Sequence, residues 1–275
     1  MERHLNLLSR TFFHCSAAAL LLLAGCGGGG EGNNNSPPAN SAARTQGAYE
    51  GTLGGAALLP NFQLLLLEDG TYYTLAGTGT GSAFTVEGFI EGSGTETDSA
   101  VDSTSTQFMS NNARDFSSQP PTPFSFSATT VINVGITGGF YASGGVNVQL
   151  IGAPISTTLY DYNAAAQLSD VVGSWDFSAE GQVEVTLTIS SNGTYSGTDV
   201  DGCSSSGTLT PRPSGKNVFN VTYLDGPAPC PEPGLSATGV AFVTTPASGP
   251  RRLYLMGTTP NRSEGFAVFG TPTPP

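Results

Sequence analysis

The stretch "VEVTLTIS" at residues 183–190 alternates with a period of two. Val183, Val185, Leu187 and Ile189 fall on one face, and Glu184, Thr186 and Thr188 fall on the other. Successive side chains of a strand point to opposite faces, so the pattern predicts a strand that is apolar on one side and wet on the other. "VFNVTYL" repeats it, with Phe219, Val221 and Tyr223 on one side, and "GGVNVQLIG" sets Val146, Val148 and Leu150 against Asn147 and Gln149. Between such runs, "SSNGTY" and "LEDGTYY" carry Asn-Gly and Asp-Gly pairs, the dipeptides best suited to tight hairpins. The one helical cue is "NAAAQLSD", where Asn163 is placed to cap one or two turns. The expected fold class is all-β, with antiparallel strands joined as meanders or small barrels.

Outward from that stretch the chain repeats itself. "GAYEGTL" followed by "LLLLEDGTYYTLAG" is echoed by "GSWDFSA" followed by "LTISSNGTYSGTD". Gly47 and Tyr49 correspond to Gly173 and Trp175, and Gly70-Thr71-Tyr72 to Gly193-Thr194-Tyr195. Two tandem β domains follow, at residues 47–162 and 173–270, with a connector holding a short helix at 163–172 and a tail at 271–275. About eight strand candidates lie in the second half, enough for a small closed or nearly closed meander without sticky edges.

The N-terminus has a different character. Arg3 and Arg10 precede an apolar run from Phe12 to Ala24, which is interrupted by His14 and is shorter than the ~20 residues a spanning helix needs. Leu23-Ala24-Gly25-Cys26 resembles the bacterial lipobox. That resemblance implies a signal peptide over residues 1–25, cleavage between Gly25 and Cys26, and acylation of Cys26. Acyl chains on Cys26 make the membrane a partner, since two lipid signals already give stable anchoring. Gly27, in place of the aspartate of the inner-membrane retention signal, implies the outer membrane, facing either the periplasm or the outside. The remainder of residues 26–46 is a Gly/Asn/Ser/Pro tether, a coil of roughly 25 Å r.m.s. span.

Removing Arg3, Arg10 and Glu2 leaves 7 Lys+Arg against 20 of the chain's 21 Asp+Glu. So acidic a body repels phosphate backbones, and a nucleic-acid partner is not expected. Both histidines, His4 and His14, belong to the signal, which removes Ser-His-Asp and Cys-His catalysis and histidine-ligated metal. No nucleophile elbow, P-loop or dinucleotide fingerprint is present, and no cofactor is implied. Cys15 departs with the signal and Cys26 is acylated, so Cys203 and Cys230 remain as one pair, expected to form a disulfide in an oxidising compartment.

Two acidic groupings bear on chemistry. One holds Glu91, Glu96, Asp98 and Asp102; the other holds Asp199 and Asp201, the calcium candidates. Neither completes a twelve-residue calcium loop, and solvated acidic loops explain both. The body resembles Gly-rich β-barrel surface lipoproteins, of the transferrin-binding-protein-like and factor-H-binding-protein-like groups. Gly173-Ser174-Trp175 opening a run of strands also resembles the first strand of lipocalins. That second resemblance implies a late-strand arginine, Arg251 or Arg252, over the tryptophan. Three functions stay open: a non-enzymatic envelope module binding a protein or polysaccharide partner, a lipocalin-like small-ligand carrier, and a histidine-free glycan hydrolase. An exposed apolar patch marks the first, a dry internal pocket the second, and a cleft with paired carboxylates the third.

Overall fold

The computed structural model describes residues 45–97, 99–103, 106–110, 122–131, 133–142, 147–179 and 182–274. Gly25, Cys26, the signal segment, most of the tether and Asp98 lie outside the described residues. Every regular element described is a β-strand or a single 3-10 turn, so the chain is all-β.

The first half contributes β1 (Gly47–Gly55), β2 (Asn61–Leu66), β3 (Thr71–Thr78), β4 (Thr85–Ser93), β5 (Thr95–Glu96), β6 (Ala100–Ser103), β7 (Thr106–Ser110), β8 (Thr122–Val131), β9 (Gly135–Ala142) and β10 (Asn147–Pro154). They form one antiparallel sheet in the order β5-β6-β8-β7-β4-β3-β2-β1-β10-β9, and β8 also pairs with β9. The sheet therefore curls until its pairings come full circle.

The second half contributes β11 (Gly173–Ala179), β12 (Gln182–Ile189), β13 (Thr194–Asp199), β14 (Ser204–Pro211), β15 (Phe219–Asp225), β16 (Ser236–Thr244), β17 (Arg252–Thr258) and β18 (Gly265–Pro272). These eight close into an antiparallel barrel, each strand beside its sequence neighbour, with β11 pairing β18. Leu187 and Ile189 of the opening stretch face the barrel core with Trp175, Phe177, Phe219 and Val221. Val185 packs against the same core, and the side chain of Val183 falls outside those described.

The repeated motif builds the same device twice. In the first turn, the Leu67 amide bonds the Thr71 carbonyl and the Gly70 amide bonds the Leu67 carbonyl; in the second, Ser190 and Gly193 do the same with Thr194 and Ser190. Asp69 Oδ1 and Asn192 Oδ1 each accept the amide two residues on, at 3.0 Å. Gly70 and Gly193 sit at φ 77° and 83°, where a side chain is strained. A Cβ there would also come within 2.3 and 2.2 Å of the carbonyl oxygens of Gly94 and Leu209. At the head of each half an aromatic ring bonds the carbonyl four residues back: Tyr49 Oη to Thr45 O at 2.9 Å, and Trp175 Nε1 to Val171 O at 2.7 Å.

Three cores result. Inside the curled sheet, Tyr72, Phe126 and Phe140 pack with Phe62, Leu64 and Leu66, with ring centroids 4.5 Å (Tyr72–Phe126) and 4.7 Å (Phe126–Phe140) apart. The barrel encloses the second. The third lies between them: Leu65, Leu67, Tyr73, Leu75 and Phe89 on the sheet's outer face meet Val240, Phe242, Tyr254, Met256 and Ala267 on the barrel's. Phe242 stacks on Tyr254 at 4.7 Å, and Arg212 binds Glu68 (2.6 Å) and Asp69 (2.5 Å) across the boundary. Each large apolar side chain buried there contributes about 1.5–3 kcal/mol relative to exposure. Sheet and barrel belong to one compact unit, Asn40–Pro275.

The helix expected in the connector does not form. One 3-10 turn, Leu168–Asp170, stands in its place, and Gln167 precedes it without a side-chain cap. Asn163 is occupied otherwise: its amide bonds Asp161 Oδ1 at 3.0 Å and its Oδ1 accepts Lys216 Nζ at 2.9 Å. Tyr160 and Tyr162, just before the connector, both enter the shared core.

Candidate functional site

The barrel's two ends differ. At one end Trp175, 1% exposed, fills the interior, with Ala166 and Val171 of the connector packed beside it. The Arg251 guanidinium lies 5.6 Å from the Trp175 ring and donates to the Asp170 carbonyl at 3.0 Å, which seals that end. The lipocalin resemblance left Arg251 and Arg252 open for this place. Arg252 instead binds the Phe84 carbonyl at 2.6 Å and lies over Phe269.

The opposite end opens into a recess of about 470 Å³. Its apolar lining comes from inward positions of the strands: Phe177 of β11, Leu187 of β12, Leu255 of β17, and Phe266 and Val268 of β18. Tyr223 packs its ring 5.2 Å from Phe266. Glu184, Asp199, Asp201, Asp225 and Glu232 also line it, and among the described residues no lysine or arginine does.

Two loops shape the mouth, and the chain fixes both locally. Asp199 Oδ1 accepts the amides of Asp201 (2.9 Å) and Cys203 (2.8 Å), folding the β13–β14 turn back over its own carboxylate. The longer β15–β16 loop is held by the Cys203–Cys230 disulfide, with Cα atoms 4.4 Å apart, and by the Gly226 amide on the Ser204 carbonyl at 2.7 Å. The expected disulfide is therefore present, and Cys203 forms part of the recess wall.

Asp225 is the buried acid of the site, 7% exposed. Its Oδ1 accepts the Tyr223 hydroxyl at 2.6 Å and lies 3.8 Å from Cys203 Sγ. Burial pushes its carboxyl above the usual range; the Tyr223 hydroxyl opposes that shift, and the Glu232 and Asp199 carboxylates reinforce it. Glu264 is likewise raised, by the neighbouring Glu232 carboxylate.

The calcium candidates Asp199 and Asp201 both reach the recess, but as members of a carboxylate rim. Among the described residues the one grouping of three potential ligands is Cys203, Asp225 and Cys230, and its two sulfurs are bonded to each other. The first acidic grouping lies in the other half of the chain. Glu91 accepts a hydrogen bond from Thr258 and sits 3.5 Å from Arg262. Glu96 is pushed up to about 6, chiefly by burial, and Asp102 is exposed. Sequence reading missed Asp225 and Glu232. The signal available for Asp225 was its place at the end of an alternating strand in phase with Phe219, Val221 and Tyr223, which carries it to the barrel interior.

Comparison of the chain with models of protein families, with curated proteins and with solved structures finds no match.

Proposed function

We propose that this chain is a lipid-anchored, non-enzymatic protein of the bacterial cell envelope whose C-terminal barrel carries a small ligand. The observation behind the carrier reading is the recess: about 470 Å³, apolar within, polar at the rim, and inside a closed barrel. Its volume falls among those of small-molecule sites, about 300–1,000 Å³. The Trp175–Arg251 pair supports the same reading, as it is the contact that the lipocalin resemblance implied. Anchoring through Cys26 to the outer membrane rests on Leu23-Ala24-Gly25-Cys26 and the tether that follows. Of the eight large apolar residues exposed among those described, Val131, Val134, Tyr141 and Ile151 lie on or between the neighbouring strands β8, β9 and β10, in the other half of the chain from the recess.

Native mass spectrometry of residues 27–275, exported to a bacterial periplasm, tests the carrier reading; this fragment retains the whole compact unit. A stoichiometric small molecule that leaves on denaturation is the expected result. A bare protein that also takes up nothing from an envelope extract would refute it. Replacing Cys26 with Ser in the full chain is expected to abolish acyl labelling and release the protein from the membrane fraction, and retention there would refute the anchor. A second reading, a histidine-free glycan hydrolase, is favoured by one observation: Asp225 has a raised pKa and stands among further carboxylates. It requires oligosaccharide turnover that Asp225→Asn removes.

A further inference from the structure

We infer that the recess selects an organic ammonium ion, an alkyl- or arylamine or its quaternary equivalent, with the apolar part inside the barrel and the cationic head at the mouth. This deepens, and rests on, the reading of the recess as a ligand site. Three observations carry it. The floor is lined by the apolar side chains of Phe177, Leu187, Leu255, Phe266 and Val268, which offer nothing to a fully hydrated ion. The rim carries Glu184, Asp199, Asp201, Asp225 and Glu232, with no cationic residue among the described lining groups.

The third observation is Asp225 itself. It is more than nine-tenths buried, and it takes part in none of the ion pairs among the described residues. A carboxylate taken out of water needs a countercharge or a proton, and here the described residues supply the Tyr223 hydroxyl and no cation. A ligand cation would supply the missing charge. Tyr223 and Phe266 add aromatic surface beside it, to which ammonium groups are attracted. An anionic amphiphile, such as a fatty acid, would meet five carboxylates at the mouth. A bare divalent ion would leave the apolar floor without a role.

The test is calorimetric titration of residues 27–275 at neutral pH and low salt with three probes of equal chain length: octylammonium, octan-1-ol and octanoate. Octylammonium is expected to bind about tenfold more tightly than octanol, the size of effect a few partly screened charges produce, and octanoate not measurably. Asp201 and Glu232 are exposed, so the double variant Asp201→Asn/Glu232→Gln should fold normally and narrow the preference for octylammonium over octanol, leaving the share that Asp225 supplies. Equal binding of all three probes would overturn the cation inference while leaving the carrier reading in place. Unchanged octylammonium affinity in the variant would do the same. Displacement of octylammonium by calcium at matching stoichiometry would overturn it in favour of a metal site. No binding of any probe would overturn the recess as a site for amphiphiles, and the inference with it.

Discussion

Truncating Phe242 to Ala tests whether sheet and barrel are one cooperative body. Phe242 lies on β16 opposite Tyr254 of β17, on the barrel's outer face, and is 1% exposed. Its ring stacks on Tyr254 at 4.7 Å with an interplanar angle of 6°, and meets Tyr160, which follows β10, at 5.0 Å. Removing a fully buried phenyl from a core that cannot collapse costs about 3–5 kcal/mol. The two ring contacts account for about 0.5–1.5 kcal/mol each within that total. In a body of this size each kcal/mol lowers Tm by about 2–4 °C, so Phe242→Ala should melt about 10 °C lower. Trp175 is the chain's one tryptophan and sits inside the barrel, so its fluorescence reports the barrel alone, whereas far-UV circular dichroism reports all strands. Both midpoints should fall together. If the circular dichroism midpoint falls while the Trp175 midpoint stays, the halves unfold separately and the shared core is not the bond described above. A loss under about 1 kcal/mol would refute the burial itself.

Three other outcomes follow from particular side chains. Gln63 faces the shared core, is 1% exposed, and has neither amide atom hydrogen-bonded; Gln63→Met should stabilise by about 1–2 kcal/mol in denaturant unfolding, and a loss would show a hidden partner. Glu91, also buried, has its carboxyl raised by burial against the opposing help of Thr258 and Arg262. An acid whose folded pKa exceeds its unfolded value binds more protons when folded, so its contribution to stability falls as pH rises from the ordinary carboxylate range through the folded pKa. Glu91→Gln should make Tm decline less steeply across that window, and an unchanged slope would contradict the assignment. Val185→Trp, filling the recess from an inward position on β12, should weaken ligand uptake about tenfold or more at unchanged Tm, whereas full uptake would move the site elsewhere.

Legibility of the fold in the sequence followed solvent exposure. β12 and β15 have one wet face, and their alternation could be read directly. "NFQLLLLEDG", "GVAFVT" and "RLYLMG" show no alternation, because sheet and barrel cover each other there and both faces of β2, β16 and β17 are buried. Unbroken apolar runs of strand length are what two-sided burial demands, but a short run does not say what covers it. The Gly-Thr-Tyr repeat was visible because a left-handed turn and an inward tyrosine are set by three adjacent residues. The recess was not visible. It depends on closing eight strands and on which inward residues stop short of filling the interior, a property of the assembled layer rather than of any run. Trp175 could be noted as a core or plugging aromatic, but only its partner Arg251, far along the chain, places it at the sealed end.

The mutual covering of sheet and barrel has a mechanical consequence. β16, β17 and β18 are clamped from outside by the sheet, whereas β13 and β14, rich in serine, threonine and glycine, face water. Strands held on both sides breathe least, so the barrel has a stiff wall and a compliant one. Amide exchange is expected to be slowest along Val240–Val243 and fastest along β13 and β14, and the reverse order would exclude this asymmetry. The compliant side carries the Val200–Cys203 turn at the mouth, and the disulfide hands its movements to the β15–β16 loop opposite. Traffic through the mouth would then require no loosening of the sheet: the rigid half acts as the mount on which the other flexes.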